Sequence, residues 1–259
     1  MAILQIEAYS KALSRKTQIS AVISIDAPPD LFPNLPGVFK PVYLLHGFSE
    51  NHTAFMYSAP LQELSAKHGV AFIMPCGENS FFLNDVTRNA LYEDYICLEL
   101  PELASKFLPL SKSREDAAIA GISMGGFGAI HGGLAHPDHF GNILSLSAAL
   151  ITDGIANLKE GEGNPVAPYE YYRHTFGDLK ALSGSRNDPK ALAAALKPEE
   201  APGIFMCCGE EDFLANENRD FHNALSRLGI AHAYVEGHGT HDWAYWNTML
   251  PRALEWLER

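Results

Sequence analysis

Two kinds of apolar pattern divide this chain. Near its start apolar and polar residues alternate, over residues 3–9 and again over 18–25, where Ile19, Ala21, Ile23 and Ile25 share one face. A period of two sends successive side chains to opposite faces of an extended backbone. Both segments therefore read as half-buried antiparallel strands of a hairpin or meander. Residues 27–41 hold five prolines and a glycine and read as a loop. After that loop the apolar residues come in short unbroken runs, at 41–45, 69–74, 117–121, 143–146 and 203–208. Strands covered on both faces have this character, as in a parallel sheet sandwiched by helices. Helical periodicity between the runs predicts helices over 54–68, 91–108, 124–135 and 216–228, with a closing helix from Trp243 or Ala244. A further strand-like run covers 231–235. Alternating strand and helix signals predict an α/β domain with a mostly parallel, doubly wound sheet.

One stretch breaks the rhythm. Residues 151–201 show no clear strand, are rich in Gly, Pro and Tyr over 161–172, and turn loosely helical at 190–196. A segment this long without regular structure is uncommon in a compact domain unless it has a function. It is expected to be a cap or lid inserted into a single domain spanning 1–259.

The chain's 259 residues and its 47% hydrophobic content suit one such domain with a substantial core. No apolar run reaches the length of a membrane span. The net charge of −12 argues against nucleic acid or an anionic membrane as partner. The first ten residues lack the basic and apolar regions of a secretory signal, so a cytoplasmic location is expected. Cys76, Cys97, Cys207 and Cys208 form no C-x-x-C pair, and three lie in apolar runs; buried reduced thiols are the expectation.

Chemistry enters with G-I-S-M-G, residues 121–125, which follows the apolar run at 117–120 and opens the helix at 124–135. That is the strand–turn–helix setting of a nucleophile elbow, which would present Ser123 Oγ above the sheet edge. A serine needs a base, and the base a carboxylate to orient it. The run at 203–208 leads into G-E-E-D-F-L, which offers Asp212, with Glu210 and Glu211 as rivals. The next strand leads into E-G-H-G-T-H-D-W, which offers His238 and His241. Both loops leave the carboxyl ends of strands, where open α/β sheets build their sites. An oxyanion hole needs two backbone N–H groups. Met124, after the nucleophile, supplies one; the loop H-G-F-S-E-N-H after the 41–45 strand supplies the other, with Phe48 N–H as the donor. His46 reads as structural. His136 and His139 have a spacing that suggests a metal, but Pro137 interrupts the helix such a pair would need.

Four stretches, V-Y-L-L-H-G-F-S-E-N-H, A-G-I-S-M-G-G-F-G, C-G-E-E-D-F-L and G-T-H-D-W-A-Y-W, together resemble the tributyrin esterase branch of the esterase D family, which includes acetyl esterases and cinnamoyl or feruloyl esterases. The similarity spans nearly the whole chain. It implies an α/β-hydrolase fold, a triad on Ser123, Asp212 and His241, and oxyanion donors on Phe48 and Met124. In the family the histidine lies in G-T-H-[DE]-W, which favours His241 and leaves His238 near the site without a catalytic role. The implied reaction is hydrolysis of small-acyl or hydroxycinnamoyl esters through an acyl-enzyme, with no metal or organic cofactor. Related enzymes assemble as dimers or tetramers, so a homo-oligomer is expected. Substrate walls are expected from Phe81 and Phe82 in the 78–85 stretch and from Tyr169, Tyr171 and Tyr172 in the cap. Two rival readings stand beside this one. An S-formylglutathione hydrolase would use the same triad on a thioester, although the cysteine common after the oxyanion loop in that branch is replaced here by Ser49 and Glu50. A non-catalytic ligand-binding module on the same fold is the other.

Overall fold

The computed structural model describes residues 1–259. The two alternating segments form a hairpin: β1 (Ala2–Ser10) pairs antiparallel with β2 (Arg15–Ile23), Ala2 opposite Ile23 and Ser10 opposite Arg15. The expectation of a half-buried second strand is wrong. β2 also pairs with β4 (Val70–Pro75), which makes it an interior strand with Ile19, Ala21 and Ile23 buried on one face and Ser20 and Val22 on the other. Ile25 lies beyond the strand, exposed.

The remaining elements alternate as the apolar runs predict. β3 (Lys40–Leu45), α1 (Ala54–Ser58) and α2 (Leu61–His68) lead to β4, and a two-stranded ribbon, β5 (Asn84–Asp85) and β6 (Ala90–Leu91), follows it. Next come α3 (Tyr92–Asp94), a π-helical turn Tyr95–Glu99 and α4 (Leu100–Ala104), then β7 (Ala118–Ile122), α5 (Met124–Ala135) and β8 (Asn142–Leu146). Residues 151–201 carry three short helices, α6 (Thr152–Ile155), α7 (Tyr169–Phe176) and α8 (Pro189–Ala195). The chain closes with β9 (Gly203–Gly209), α9 (Ala215–Leu228), β10 (His232–Gly237) and α10 (Trp243–Leu257). None of these helices is long and apolar enough to cross a membrane.

Two helices differ from the sequence pattern. The run at 54–68 is broken, because Ala59 is extended (φ −132°) ahead of Pro60, whose ring disfavours a helical predecessor. The run at 91–108 holds the π turn and ends at Ala104. Within that turn Tyr95, Ile96 and Cys97 are buried, while the Glu99 carboxylate reaches the β1–β2 turn and accepts from Ser10 Oγ (2.7 Å) and the N–H groups of Lys11 and Ala12 (2.8 and 3.1 Å).

The eight-stranded sheet has the order β1-β2-β4-β3-β7-β8-β9-β10 and is parallel from β4 onward. From β3 the chain steps to one side for β4 and returns on the other for β7, so the loops leaving β3 and β7 diverge over a crevice. Leu45 pairs with Gly121 there, at the ends of both strands. Alternation along the strands feeds two cores. Tyr43, Leu45, Ile73, Ile119, Ile143, Ile204 and Met206 join one, with α5 and the buried Tyr172 and Phe176 of α7. Val42, Leu44, Phe72, Ala120, Leu144, Phe205 and Cys207 join the other, beneath Leu61 and Leu64 of α2 and Met249, Leu250 and Leu254 of α10. All four cysteines are free thiols, Cys97, Cys207 and Cys208 buried and Cys76 half-buried.

Candidate active site

Ser123 stands between the last residue of β7 and the first of α5 with φ +53° and ψ −117°, a conformation that L-residues avoid. Neighbouring strands hold it there. Its N–H donates to Leu146 O (3.0 Å), and its carbonyl accepts from Phe127 and Ala149 N–H (3.0 and 2.9 Å). The flanking glycines are there for clearance. A Cβ on Gly125 would lie 2.1 Å from Leu45 O, and one on Gly121 would lie 2.3 Å from Gly125 O. No side chain fits either gap.

The loops after β9 and β10 meet Ser123 across the sheet edge. His241 Nε2 lies 2.9 Å from Ser123 Oγ, and His241 Nδ1 lies 2.9 and 3.1 Å from the two carboxylate oxygens of Asp212. A carboxylate on Nδ1 fixes the proton on that nitrogen and leaves Nε2 as the acceptor facing the serine. Burial of Asp212 opposes its charge, yet the hydrogen bonds from His241 and from Leu214 N–H (2.9 Å) outweigh it and hold the carboxyl below its ordinary range. Two rings pack on the imidazole: exposed Phe213 at 4.6 Å and, edge-on, Trp246 at 5.0 Å, whose indole N–H donates to Ser147 Oγ (3.1 Å). The rival residues stand apart from this chain of bonds. Glu211 accepts from Gly239 N–H (2.7 Å) and meets His238 at 3.1 Å, while Glu210 lies 3.6 Å from that same exposed imidazole. Glu210, Glu211 and His238 are also the one group of three side chains close enough to share a metal ion, and all three are exposed.

On the other side of Ser123 runs the loop after β3. Phe48 N–H donates to no protein acceptor, and neither does Met124 N–H, the first of α5. The loop between them and the solvent is tied down. His46 is buried, with Nδ1 2.7 Å from Gly47 O and Nε2 accepting Gly77 N–H at 2.9 Å. Burial lowers its pKa to about 4 and keeps it neutral. Ser49 takes φ +62°, its N–H donates to Asn79 Oδ1 (2.7 Å), and Gly47 N–H donates to Glu50 Oε2 (2.9 Å).

The residues expected as substrate walls fall into two groups. Phe81 and Phe82 are buried, at φ +51° and +56°, conformations rare for bulky side chains. Phe82 packs on Gly77, Gly128 and the His46 ring; Phe81 packs between Phe127 and Phe176, with its ring 6.5 Å from Phe48. Both support the site from beneath. Tyr171 is half-buried and closer to the opening, its ring edge-on to Phe48 at 5.6 Å and its hydroxyl donating to Asn79 O at 2.6 Å. Tyr172 is buried and donates to Asn164 Oδ1 (3.0 Å), and Tyr169 is half-buried against the same core. His136 bonds the buried Glu93 carboxylate at 2.7 Å. Asn79 and Glu50 brace the Phe48 loop by accepting from backbone N–H groups, a role that neither the H-G-F-S-E-N-H motif nor the 78–85 stretch signals.

Comparison with known proteins gives three consistent results. The family described as "Putative esterase" matches residues 20–257. An acetyl esterase of Caldicellulosiruptor saccharolyticus is 40% identical, across the whole of this chain and 99% of that relative. Among solved structures, the fluorophosphonate-binding serine hydrolase FphF of Staphylococcus aureus superposes with a TM-score of 0.86 at 30% identity, covering 100% of this chain and 98% of that one. The S-formylglutathione hydrolase FrmB of the same organism superposes with a TM-score of 0.83 at 28% identity, covering 100% and 99%.

Proposed function

The chain belongs to the esterase family and is a serine hydrolase of carboxylic esters on the α/β-hydrolase fold; on that premise we propose that Ser123, His241 and Asp212 are its catalytic triad and that it acts on small-acyl or hydroxycinnamoyl esters. One observation carries the reading: the unbroken line of hydrogen bonds from Asp212 through His241 to Ser123, each 2.9 Å at its shortest. His241 Nε2 takes the hydroxyl proton as Ser123 Oγ attacks the ester carbonyl, and Asp212 stabilises the imidazolium that results. The oxyanion lies between Phe48 and Met124 N–H, the two donors without a protein acceptor. His241 then passes its proton to the departing alcohol. Water, activated by the same imidazole, releases the acid and restores Ser123.

Residues 151–201 act as a cap in this proposal. Tyr171 on α7 supports that role, because it packs on Phe48 and bonds Asn79, both at the mouth of the site. An apolar acyl group would rest against Phe48 and Tyr171, with Tyr169 further along the same helix. The likeness to FrmB supports a second reading, hydrolysis of S-formylglutathione by the same residues.

Both are tested together. Purified protein is assayed on p-nitrophenyl acetate and butyrate, a hydroxycinnamate methyl ester and S-formylglutathione, beside Ser123→Ala. Loss of the nucleophile is expected to lower kcat on the order of 10³-fold or more. Ester rates that survive in Ser123→Ala would remove the triad assignment, and a preference for the thioester would exchange the two substrate readings.

A further inference from the structure

Glu50 puts a negative charge beside the nucleophile that the ester chemistry does not require. Its Oε2 accepts Gly47 N–H, and the point where a Gly47 Cβ would stand lies 2.9 Å from that oxygen and 3.7 Å from Ser123 Cβ. The carboxylate and the nucleophile thus border the same small space. No cation pairs with Glu50: the salt bridges of this chain leave it out, and its one side-chain bond is to Gly47 N–H. The loops that carry Asp212 and His241 add acidic side chains: Glu210, Glu211 and Asp242 are exposed, with His238 3.1 Å from Glu211 and 3.6 Å from Glu210. A substrate with a carboxylate near its scissile carbonyl would meet the unpaired Glu50 carboxylate beside the nucleophile.

Resting on the assignment of Ser123 as nucleophile, we propose that Glu50 acts as a charge filter: it turns away esters bearing an anionic group on the acyl chain and directs the enzyme to neutral or cationic acyl esters. The rejection is electrostatic and acts at the mouth. Two unit charges about 10 Å apart at an effective dielectric near 20 repel strongly enough to change a rate about tenfold. Glutamine at the same position keeps an oxygen for Gly47 N–H while removing the charge. The variant therefore isolates the electrostatic part from the bracing of the loop.

The experiment compares p-nitrophenyl hexanoate with the mono-p-nitrophenyl ester of adipate, which has the same chain length and adds one carboxylate. For Glu50→Gln the adipate-to-hexanoate ratio of kcat/KM is expected to rise about tenfold over wild type at low salt. Any general effect of the lost charge on the oxyanion acts on both esters and cancels in the ratio. In wild type, added salt is expected to raise the adipate rate and leave the hexanoate rate nearly flat, a readout that needs no variant. A ratio unchanged within twofold in Glu50→Gln overturns the filter; should that variant not fold, equal salt responses for the two esters overturn it. Wild-type protein silent on p-nitrophenyl acetate, butyrate and hexanoate alike would overturn the small-acyl ester reading on which the filter rests.

Discussion

Phe48 N–H, the proposed oxyanion donor, has no protein acceptor, and other groups hold its neighbours in place. Ser49 sits in the left-handed region, a conformation disfavoured for serine, and Asn79 Oδ1 secures it through the Ser49 N–H; Asn79 O in turn receives the Tyr171 hydroxyl. On the proposed mechanism, removing the amide would let Ser49 relax and turn the Phe48 donor away from the oxyanion. Asn79→Ala is therefore expected to lower kcat about 10- to 100-fold with KM within about twofold, because an oxyanion donor acts on the transition state more than on the bound ester. Steady-state kinetics on p-nitrophenyl butyrate measures the split, and a rise in KM alone would contradict it. The sequence was informative at the residue scale wherever chemistry demands a side chain. Ser123 could be named from its motif, and the family resemblance favoured Asp212 over Glu210 and Glu211 and His241 over His238; His241 stands within hydrogen-bond distance of both others. The sequence was silent on the side chains that brace the loop by accepting from its backbone, Asn79 on Ser49 N–H and Glu50 on Gly47 N–H. Phe81 and Phe82, expected as substrate walls, are buried and packed on Phe127, Phe176, Gly77 and Gly128, with Phe81 6.5 Å from Phe48.

The elbow works as an element because a strand and a helix pass at backbone distance. Gly125 approaches the carbonyl of Leu45 on β3, so a methyl group there would push α5 away from the strand that leads into the Phe48 loop. Gly125→Ala is expected to destabilise the protein by more than about 3 kcal/mol and to reduce its yield as folded protein, read by chemical denaturation. A fully active, equally stable variant would show that the helix can shift without cost. Elements with both faces covered were legible from their unbroken apolar runs, since position in the sheet and composition go together there. β2 was misjudged for a reason of the same kind. Its alternation predicts one face open to water, but α2 packs on the face of Ser20 and Val22, and Ser20 bonds His52 Nδ1 at 2.8 Å, so a polar residue stands at a buried position. The helix expected over 54–68 takes no account of Pro60, ahead of which Ala59 is extended. The π turn at Tyr95–Glu99 has no counterpart in the local pattern; its last residue, Glu99, bonds the distant β1–β2 turn.

Across the whole molecule, buried neutral histidines tie stability to pH. Burial lowers His46 and His131 each to about 4, whereas both would titrate near their ordinary value in the unfolded chain. Between about pH 6.5 and 4 the unfolded state thus binds more protons than the folded one, and stability falls as pH falls. At pH 5 the loss is about 2 kcal/mol for each histidine. Tm should then lie roughly 10 °C lower at pH 5 than at pH 7 for a domain of this size. Scanning calorimetry checks it, and a flat Tm over that range would contradict the neutral-histidine assignment. The sulfur atoms of the protein have a different consequence. Burial pushes the Cys208 thiol up to about 12 and raises Cys97 and Cys207 as well, so none of the three reacts while the fold is closed. Cys97 lies in one of the two cores and Cys207 in the other, on opposite sides of the sheet. A brief pulse of alkylating reagent in mild denaturant would therefore mark each side separately, and the order in which the two thiols acquire mass records which half of the sandwich opens first.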